Sequence, residues 1–307
     1  MAQQLTAYLG PEGSFTYAAA LHWAERSDLI PARTVADIVA GVAAGDWSQG
    51  VVAIENNVEG YVVPSLDELI AAHDVVAVDQ HAVEVVFDAF VRPGTSKWHE
   101  VSAHPHGLAQ CQDFVTRRGL SSVPATSNAA ACRDLTDDTV ALGPRVCGDL
   151  YGLETLEQSV QDFAGARTRF LRVIRRDGAR EALSSAVSGQ QWNTMLAVTP
   201  TVTGPGVLAR ITVAFGERGV NMSSLITRPL KALQGRYVFV ITCDGAPWEA
   251  PMRSLLAELL AAGDSVKTIG VFPASEDLDA LVDPQRIPAG SVADTSSDEE
   301  LQRGLLW

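Results

Sequence analysis

Ala7-Tyr8-Leu9-Gly10-Pro11-Glu12-Gly13-Ser14-Phe15-Thr16 is the stretch on which the fold turns. Three apolar residues make a short strand, Gly-Pro-Glu-Gly turns the chain, and Ser14 or Thr16 supplies the N-cap of a helix running through His22-Trp23. The same strand–turn–helix unit then repeats. Val35 to Ala44 has helical spacing and leads to the apolar run Val51 to Ile54, and a helix over Ser65 to Ala72 precedes Val75-Val76-Ala77-Val78 and the run around Val83 to Val91. Short apolar runs alternating with helices predict an α/β fold with mainly parallel strands.

A second series follows. Val101-Ser102-Ala103 ends at His104-Pro105-His106, and a helix runs from there to about Arg118. Val123-Pro124-Ala125 precedes Ser127-Asn128, which caps the alanine-rich helix Ala129 to Asp134, and Val140 to Pro144 is another strand and turn. Two such lobes, with the chain returning to the first, enclose a cleft of the kind that holds small ligands. The crossings are expected near residues 80–92 and 155–165.

Charged, Gly and Ser residues cluster from Arg175 to Gln191, which reads as a linker. Asn193 to Pro273 reads as β-α-β-β-α-β, with strands Met195 to Thr199, Met222 to Lys231, Tyr237 to Cys243 and Val266 to Phe272. Val207/Leu208, Ile211 and Ala214/Phe215 mark one helix face, and Leu255/Leu256 and Leu259/Leu260 the other. That order is the ferredoxin-like plan.

At 307 residues, 47% hydrophobic and 20% charged, the chain has the composition of a globular protein with two or three compact lobes. A net charge of -14 and a pI near 4.8 argue against nucleic acid or an anionic membrane as partner. From Ala274 to Trp307 eight acids face two bases, which predicts a solvated, mostly disordered acidic extension. Cys111, Cys132, Cys147 and Cys243 are widely spaced and form no CxxC pair. Together with the lack of a signal-like opening or an apolar run of about 18 residues, they predict buried free thiols in a cytoplasmic protein. His104 and His106 have no ligand-spaced companions, so no metal site is expected.

Thr168-Arg169-Phe170 lies before the apolar strand Leu171 to Ile174 and sets a hydroxyl, a fork-shaped cation and an aromatic ring side by side. That combination suits a small, doubly anionic, ring-bearing substrate, although any strand start can read this way.

Four segments taken together resemble the prephenate dehydratase family in order and spacing: Tyr8 to Thr16, Gly50 to Gly60 (Gly-Val-Val-Ala-Ile-Glu-Asn-Asn-Val-Glu-Gly), Pro64-Ser65-Leu66-Asp67, and Thr168-Arg169-Phe170. His104-Pro105 through Gln110-Cys111 looks like that family's segment before its second-lobe helix, and residues 193–273 are similar to the ACT regulatory domain joined to these enzymes. The likeness covers roughly residues 5–273. It implies a two-lobed catalytic domain like the periplasmic binding proteins over 1–176 (second lobe roughly 82–160), a linker at 177–192, an ACT domain over 193–273 and the acidic tail at 274–307.

The resemblance further implies a cytoplasmic enzyme of phenylalanine biosynthesis that converts prephenate to phenylpyruvate, CO2 and water without metal or organic cofactor. Thr168 would be the donor to the departing hydroxyl. Glu55 would orient its neighbours or feed the proton, or serve only as a strand-end carboxylate. Arg169 would hold a carboxylate, with Asn56, Asn57, Ser14, Thr16 and Ser65 as further donors. Phe170 would either pack within its lobe or face the substrate. An L-phenylalanine effector site is implied between two ACT units, at Gly206, Val207 and Leu208 with Asn221, Met222, Ser223, Leu225, Ile226 and Thr227, in a homodimer or homotetramer. The sequence departs from the family's pattern at Asn57 (usually Ser), at Ser65 (usually Thr), at Ile226 (usually Glu) and at Gly165-Ala166, where an Asn before the Thr would clamp the loop. Arogenate as substrate, a decarboxylase and a non-catalytic amino-acid-binding sensor are the competing readings.

Overall fold

A computed structural model describes residues 4–184, 189–230, 236–274, 288–289, 291–293 and 295–306. The first series is β1 (Thr6–Leu9), α1 (Phe15–Ala20), β2 (Leu29–Ala32), α2 (Val35–Ala44), β3 (Gln49–Asn56), β4 (Gly60–Tyr61), α3 (Val63–Ala71) and β5 (Val75–Glu84). Helix α2 shows how local sequence sets an element. Thr34 and Asp37 form a reciprocal capping box at its start, Gly45 ends it in the left-handed region, and its buried face is Val35, Ile38, Val39 and Val42.

The chain leaves the first sheet after Glu84 and builds a second: β6 (Asp88–Val91), β7 (Glu100–Ala103), α4 (Pro105–Ala109), α5 (Gln112–Arg118), β8 (Ser121–Pro124), α6 (Asn128–Arg133), β9 (Thr139–Gly143), α7 (Val146–Tyr151) and β10 (Glu154–Glu157), in strand order β10-β6-β9-β7-β8. The helix expected from His106 to Arg118 is broken in two. The Asp162 carboxylate accepts from the backbone N–H groups of Gln112 and Asp113 (2.7 and 3.0 Å), so a residue fifty positions away caps a fresh helix there. The chain returns in β11 (Arg167–Arg175), which lies antiparallel between β3 and β5. The two crossing segments are tied together by Val85 N–H to Ala166 O (2.7 Å) and Val160 N–H to Phe87 O (2.8 Å).

The stretch read as a linker contains α8 (Ala179–Ser184), where Ala-Arg-Glu-Ala-Leu outweighs the neighbouring glycine. Next come β12 (Trp192–Thr199), α9 (Val207–Glu217), β13 (Met222–Pro229), β14 (Tyr237–Asp244), α10 (Ala250–Ala261) and β15 (Ser265–Pro273), in spatial order β13-β14-β12-β15. That is the ferredoxin-like arrangement; the expected end of β13 at Lys231 lies outside the described residues.

These four strands continue the first lobe's sheet. Strand β15 pairs with β5 at Gly270↔Ala77, and ten strands result. A Cβ on Gly270 would sit 2.7 Å from the Ala77 Cβ, so this junction requires glycine. One core then spans both parts: Ile38, Val42, Leu66 and Leu69 from α2 and α3 pack with Met195, Ala197, Val240 and Phe272. Lys267 Nζ donates to the carbonyls that end α3, those of Leu69 (3.0 Å), Ile70 (2.7 Å) and Ala72. Burial first, and then Arg176, lowers the Lys267 pKa to about 8.

Residues 275–307 form a separate unit, whose described part includes α11 (Asp298–Leu305). These eight residues are helical within the stretch expected to be mostly disordered. Ser297 and Glu300 make a capping box, and Asp298, Glu299 and Glu300 in the first turn with Arg303 in the last suit the helix dipole. The rest of the expected tail lies mostly outside the described residues.

Candidate active site

The end of β3 and the start of β11 meet side by side, with Thr168 opposite Asn56 and Arg169 opposite Glu55. This register turns two motifs more than a hundred residues apart into one site. The Asn56 Nδ2 donates to Thr168 Oγ1 (3.0 Å), while its Oδ1 accepts from Val58 N–H (2.8 Å) and Glu59 N–H (3.0 Å). The threonine oxygen is thus already an acceptor, and its own proton is left to point elsewhere.

Arg169 donates through Nη2 to Glu55 Oε2 (2.6 Å) and through Nη1 to Gln80 Oε1 (3.3 Å). The pair is part-exposed, with 21% and 33% of the two side chains open to solvent, so a ligand can reach it. Gln80 also donates to Pro273 O (2.7 Å) at the end of β15. Sequence alone did not reveal Gln80, which stands in no motif and acquires its role only when β5 pairs with β11.

The second lobe reaches over this edge. Glu59 accepts from Gln110 Nε2 (3.0 Å) and faces His106 Nδ1 (3.3 Å), joining the loop after β3 to α4. His104 caps α4, accepting from the His106 N–H (3.3 Å). Burial, and then His106, lower its pKa below the usual histidine value and favour the neutral imidazole. The Gly-rich turn is bridged likewise, Tyr151 donating to Glu12 O (2.6 Å) and Cys147 Sγ to Gly13 O (3.3 Å).

The other expected site residues take structural places. Ser14 caps α1, its Oγ accepting from Tyr17 N–H (3.1 Å) and donating to Leu9 O (3.3 Å). Thr16 is buried within α1. Asn57 turns toward its own chain: Nδ2 donates to Gly165 O (2.9 Å) and Oδ1 accepts from Arg167 N–H (2.7 Å).

Phe170 is 1% exposed among Tyr8, Tyr17 and Val51, so it packs the lobe and does not face a substrate. Phe170→Ala is expected to cost about 3–5 kcal/mol of stability, checked by denaturant unfolding. Ser65 lies buried in α3, and its hydroxyl has no hydrogen-bond partner among the described residues. Ser65→Ala therefore leaves turnover unchanged and holds or raises the melting temperature, because it removes an unpaired buried group.

In the C-terminal part, Gly206 precedes α9 in the left-handed region, and Val207 and Leu208 help line a cavity of ≈ 240 Å³ with Pro200, Thr203, Gly204, Tyr237 and Phe239. Asn221 lies at the opposite end of β13, bonded to Asp244 (3.2 Å). Met222 packs under α9 and α10, and Ser223 donates to Thr242 O (3.2 Å). Leu225 and Thr227 are exposed, while Ile226 packs toward α2 and α3. One chain does not bring Gly206–Leu208 and Asn221–Ser223 together, because the length of β13 separates them.

A two-lobed α/β body that brings a threonine hydroxyl and a part-exposed arginine side by side, followed by a ferredoxin-like part, defines an α/β protein with a candidate small-molecule site joined to a C-terminal domain. The family model for prephenate dehydratase matches residues 6–178, and the chain belongs to that family. It is 30% identical over 292 residues to a prephenate dehydratase of Corynebacterium glutamicum, covering 91% of this chain and 90% of that one. A crystal structure of an Arthrobacter aurescens prephenate dehydratase in complex with L-Phe superposes with a TM-score of 0.76 at 28% identity, covering 92% of this chain and 94% of that one. The Staphylococcus aureus prephenate dehydratase structure gives 0.74 at 25% identity, covering 87% and 99%.

Proposed function

We propose that the chain carries out the decarboxylating dehydration of prephenate to phenylpyruvate, and that the Asn56–Thr168 hydrogen bond is the observation that carries the mechanism. Prephenate holds a ring carboxylate and a 4-hydroxyl across a cyclohexadiene. The bond to the ring carboxylate breaks to give CO2, its electron pair completes the aromatic ring, and the C–O bond breaks at the far side. Hydroxide is the poor leaving group, so the departing oxygen must gain a proton and leave as water. Thr168, with its oxygen engaged by Asn56, presents its O–H to that oxygen and relays a solvent proton. Such an aimed donor is worth about 3–4 kcal/mol.

The other carboxylate, on the pyruvyl side chain, keeps its charge throughout, and Arg169 is the group to hold it. Gripping the ring carboxylate instead would stabilise the very charge that the reaction must disperse. Turnover of prephenate by the purified chain, with phenylpyruvate identified by mass, tests this reading. The site is proposed to work in the cytoplasm; the four cysteines are buried free thiols, and among the described residues no helix is long and apolar enough to cross a membrane.

Residues 193–273 are proposed to be an ACT domain that binds L-phenylalanine between two copies of the chain. The reading is supported by the L-Phe complex of the Arthrobacter relative and by the separation of the two half-sites within one chain. Its link to the active site is short. Tyr61, paired with Glu55 in the β3–β4 ladder, hydrogen-bonds Ser224 on β13 (2.5 Å), and Arg228 grips Asp67 of α3 through two bonds (2.8 and 2.9 Å). Arg228→Gln is expected to leave kcat within about twofold and to weaken inhibition by L-Phe about fivefold or more. Inhibition curves check this, with calorimetry to show that L-Phe still binds.

A further inference from the structure

We infer that Asn57 is a positioning residue for Thr168, fixing the segment that delivers the hydroxyl to the cleft. Three hydrogen bonds run from this one residue to the chain just before Thr168: side-chain amide to Gly165 O (2.9 Å), Arg167 N–H to side-chain carbonyl (2.7 Å), and Asn57 backbone N–H to Arg167 O (3.0 Å). They hold the peptide groups on both sides of Ala166. Across from them, Ala166 O accepts from Val85 N–H (2.7 Å), so the approach to β11 is pinned from both neighbouring strands.

The pinning matters because Thr168 is only the second residue of β11: it is paired with Asn56 and Val83, but Arg167, the one strand residue before it, pairs with β5 alone. Segment 161–166 has no helix or strand of its own, and Gly165 adopts φ +88, a region open to many conformations for glycine. Without Asn57 the first residues of the ladder fray, and Thr168 frays before Arg169 does. The two adjacent amides thus act on different parts of one residue, Asn56 orienting the hydroxyl and Asn57 holding the backbone beneath it. An aspartate at 57 would keep the acceptor for Arg167 N–H and lose the donor to Gly165. A serine is too short to span both.

The kinetic arm of the test rests on the dehydration reading. Asn57→Ala is expected to lower kcat about tenfold with KM within about twofold, because displacing a reacting group costs the chemical step. In a Thr168→Ala background the same change is expected to lower kcat by less than about twofold, since a residue acting through Thr168 has nothing left to position. Asn57→Asp should fall between the native chain and Asn57→Ala.

Equal losses in both backgrounds, or no loss in the native one, would overturn the inference. Hydrogen exchange at the Arg167 amide supplies an arm independent of turnover. Exchange about tenfold faster in Asn57→Ala supports the clamp even if prephenate is not the substrate, and unchanged exchange refutes it.

Discussion

Thr168→Ala should lower kcat by about a hundred-fold or more while KM moves little. The change removes one Oγ that accepts from Asn56 and is otherwise free to donate. In the proposed mechanism the substrate carboxylates are held elsewhere, so binding of the ground state is expected to survive. The departing hydroxyl then leaves without a directed proton. Thr168→Ser sharpens the experiment, because serine keeps the hydroxyl and can still accept from Asn56. It should recover most of the lost rate, and a serine variant as slow as the alanine one would mean that the methyl group, not the hydroxyl, matters.

Arg169→Leu is the second large effect, and it falls on kcat/KM through KM. Its guanidinium pairs with Glu55 at 2.6 Å and Gln80 at 3.3 Å, with about a fifth of the side chain open to solvent. Removing it deletes the proposed carboxylate anchor and leaves Glu55, two-thirds shielded, without its cation. Losing one member of a bonded charge pair costs about 2–5 kcal/mol, a loss of at least about thirtyfold in kcat/KM. Arg169→Lys restores the charge but not the fork, so it should recover only part. Steady-state kinetics of the two variants separate these effects; a normal KM in Arg169→Leu would remove the arginine from the binding role.

The alternation of strands and helices, both lobes and the β-α-β-β-α-β order were legible because hydrophobic spacing is a local signal. Elements set by partners far along the chain were not. The break between α4 and α5 depends on the Asp162 carboxylate, and the sheet junction depends on how closely Gly270 approaches Ala77. Charge density hid two helices, although Ser297-x-x-Glu300 is a visible capping signature.

The site shows the same division. Residue types pointed to Thr168, Arg169, Glu55 and Asn56, and the β3–β11 register sets them side by side. Ser14 and Asn57 carry the same kinds of donor group, and a sequence has no means of showing that such a donor faces its own backbone, or that the Ser65 hydroxyl is buried within α3. Gly165-Ala166 read as a missing clamp. The structure has Asn57 holding that loop from the opposite strand.

The proposed protonation of the departing hydroxyl of prephenate by Thr168 is the step from which the rest of the proposed mechanism follows. Single-turnover conversion of prephenate by the native chain and by Thr168→Ala tests it most directly, with products identified by mass and ultraviolet absorbance. Phenylpyruvate is expected from the native chain, and a chemical step at least about a hundred-fold slower in the variant. A variant that forms phenylpyruvate at the native rate, or a native chain whose product is decarboxylated but not aromatic, would contradict it.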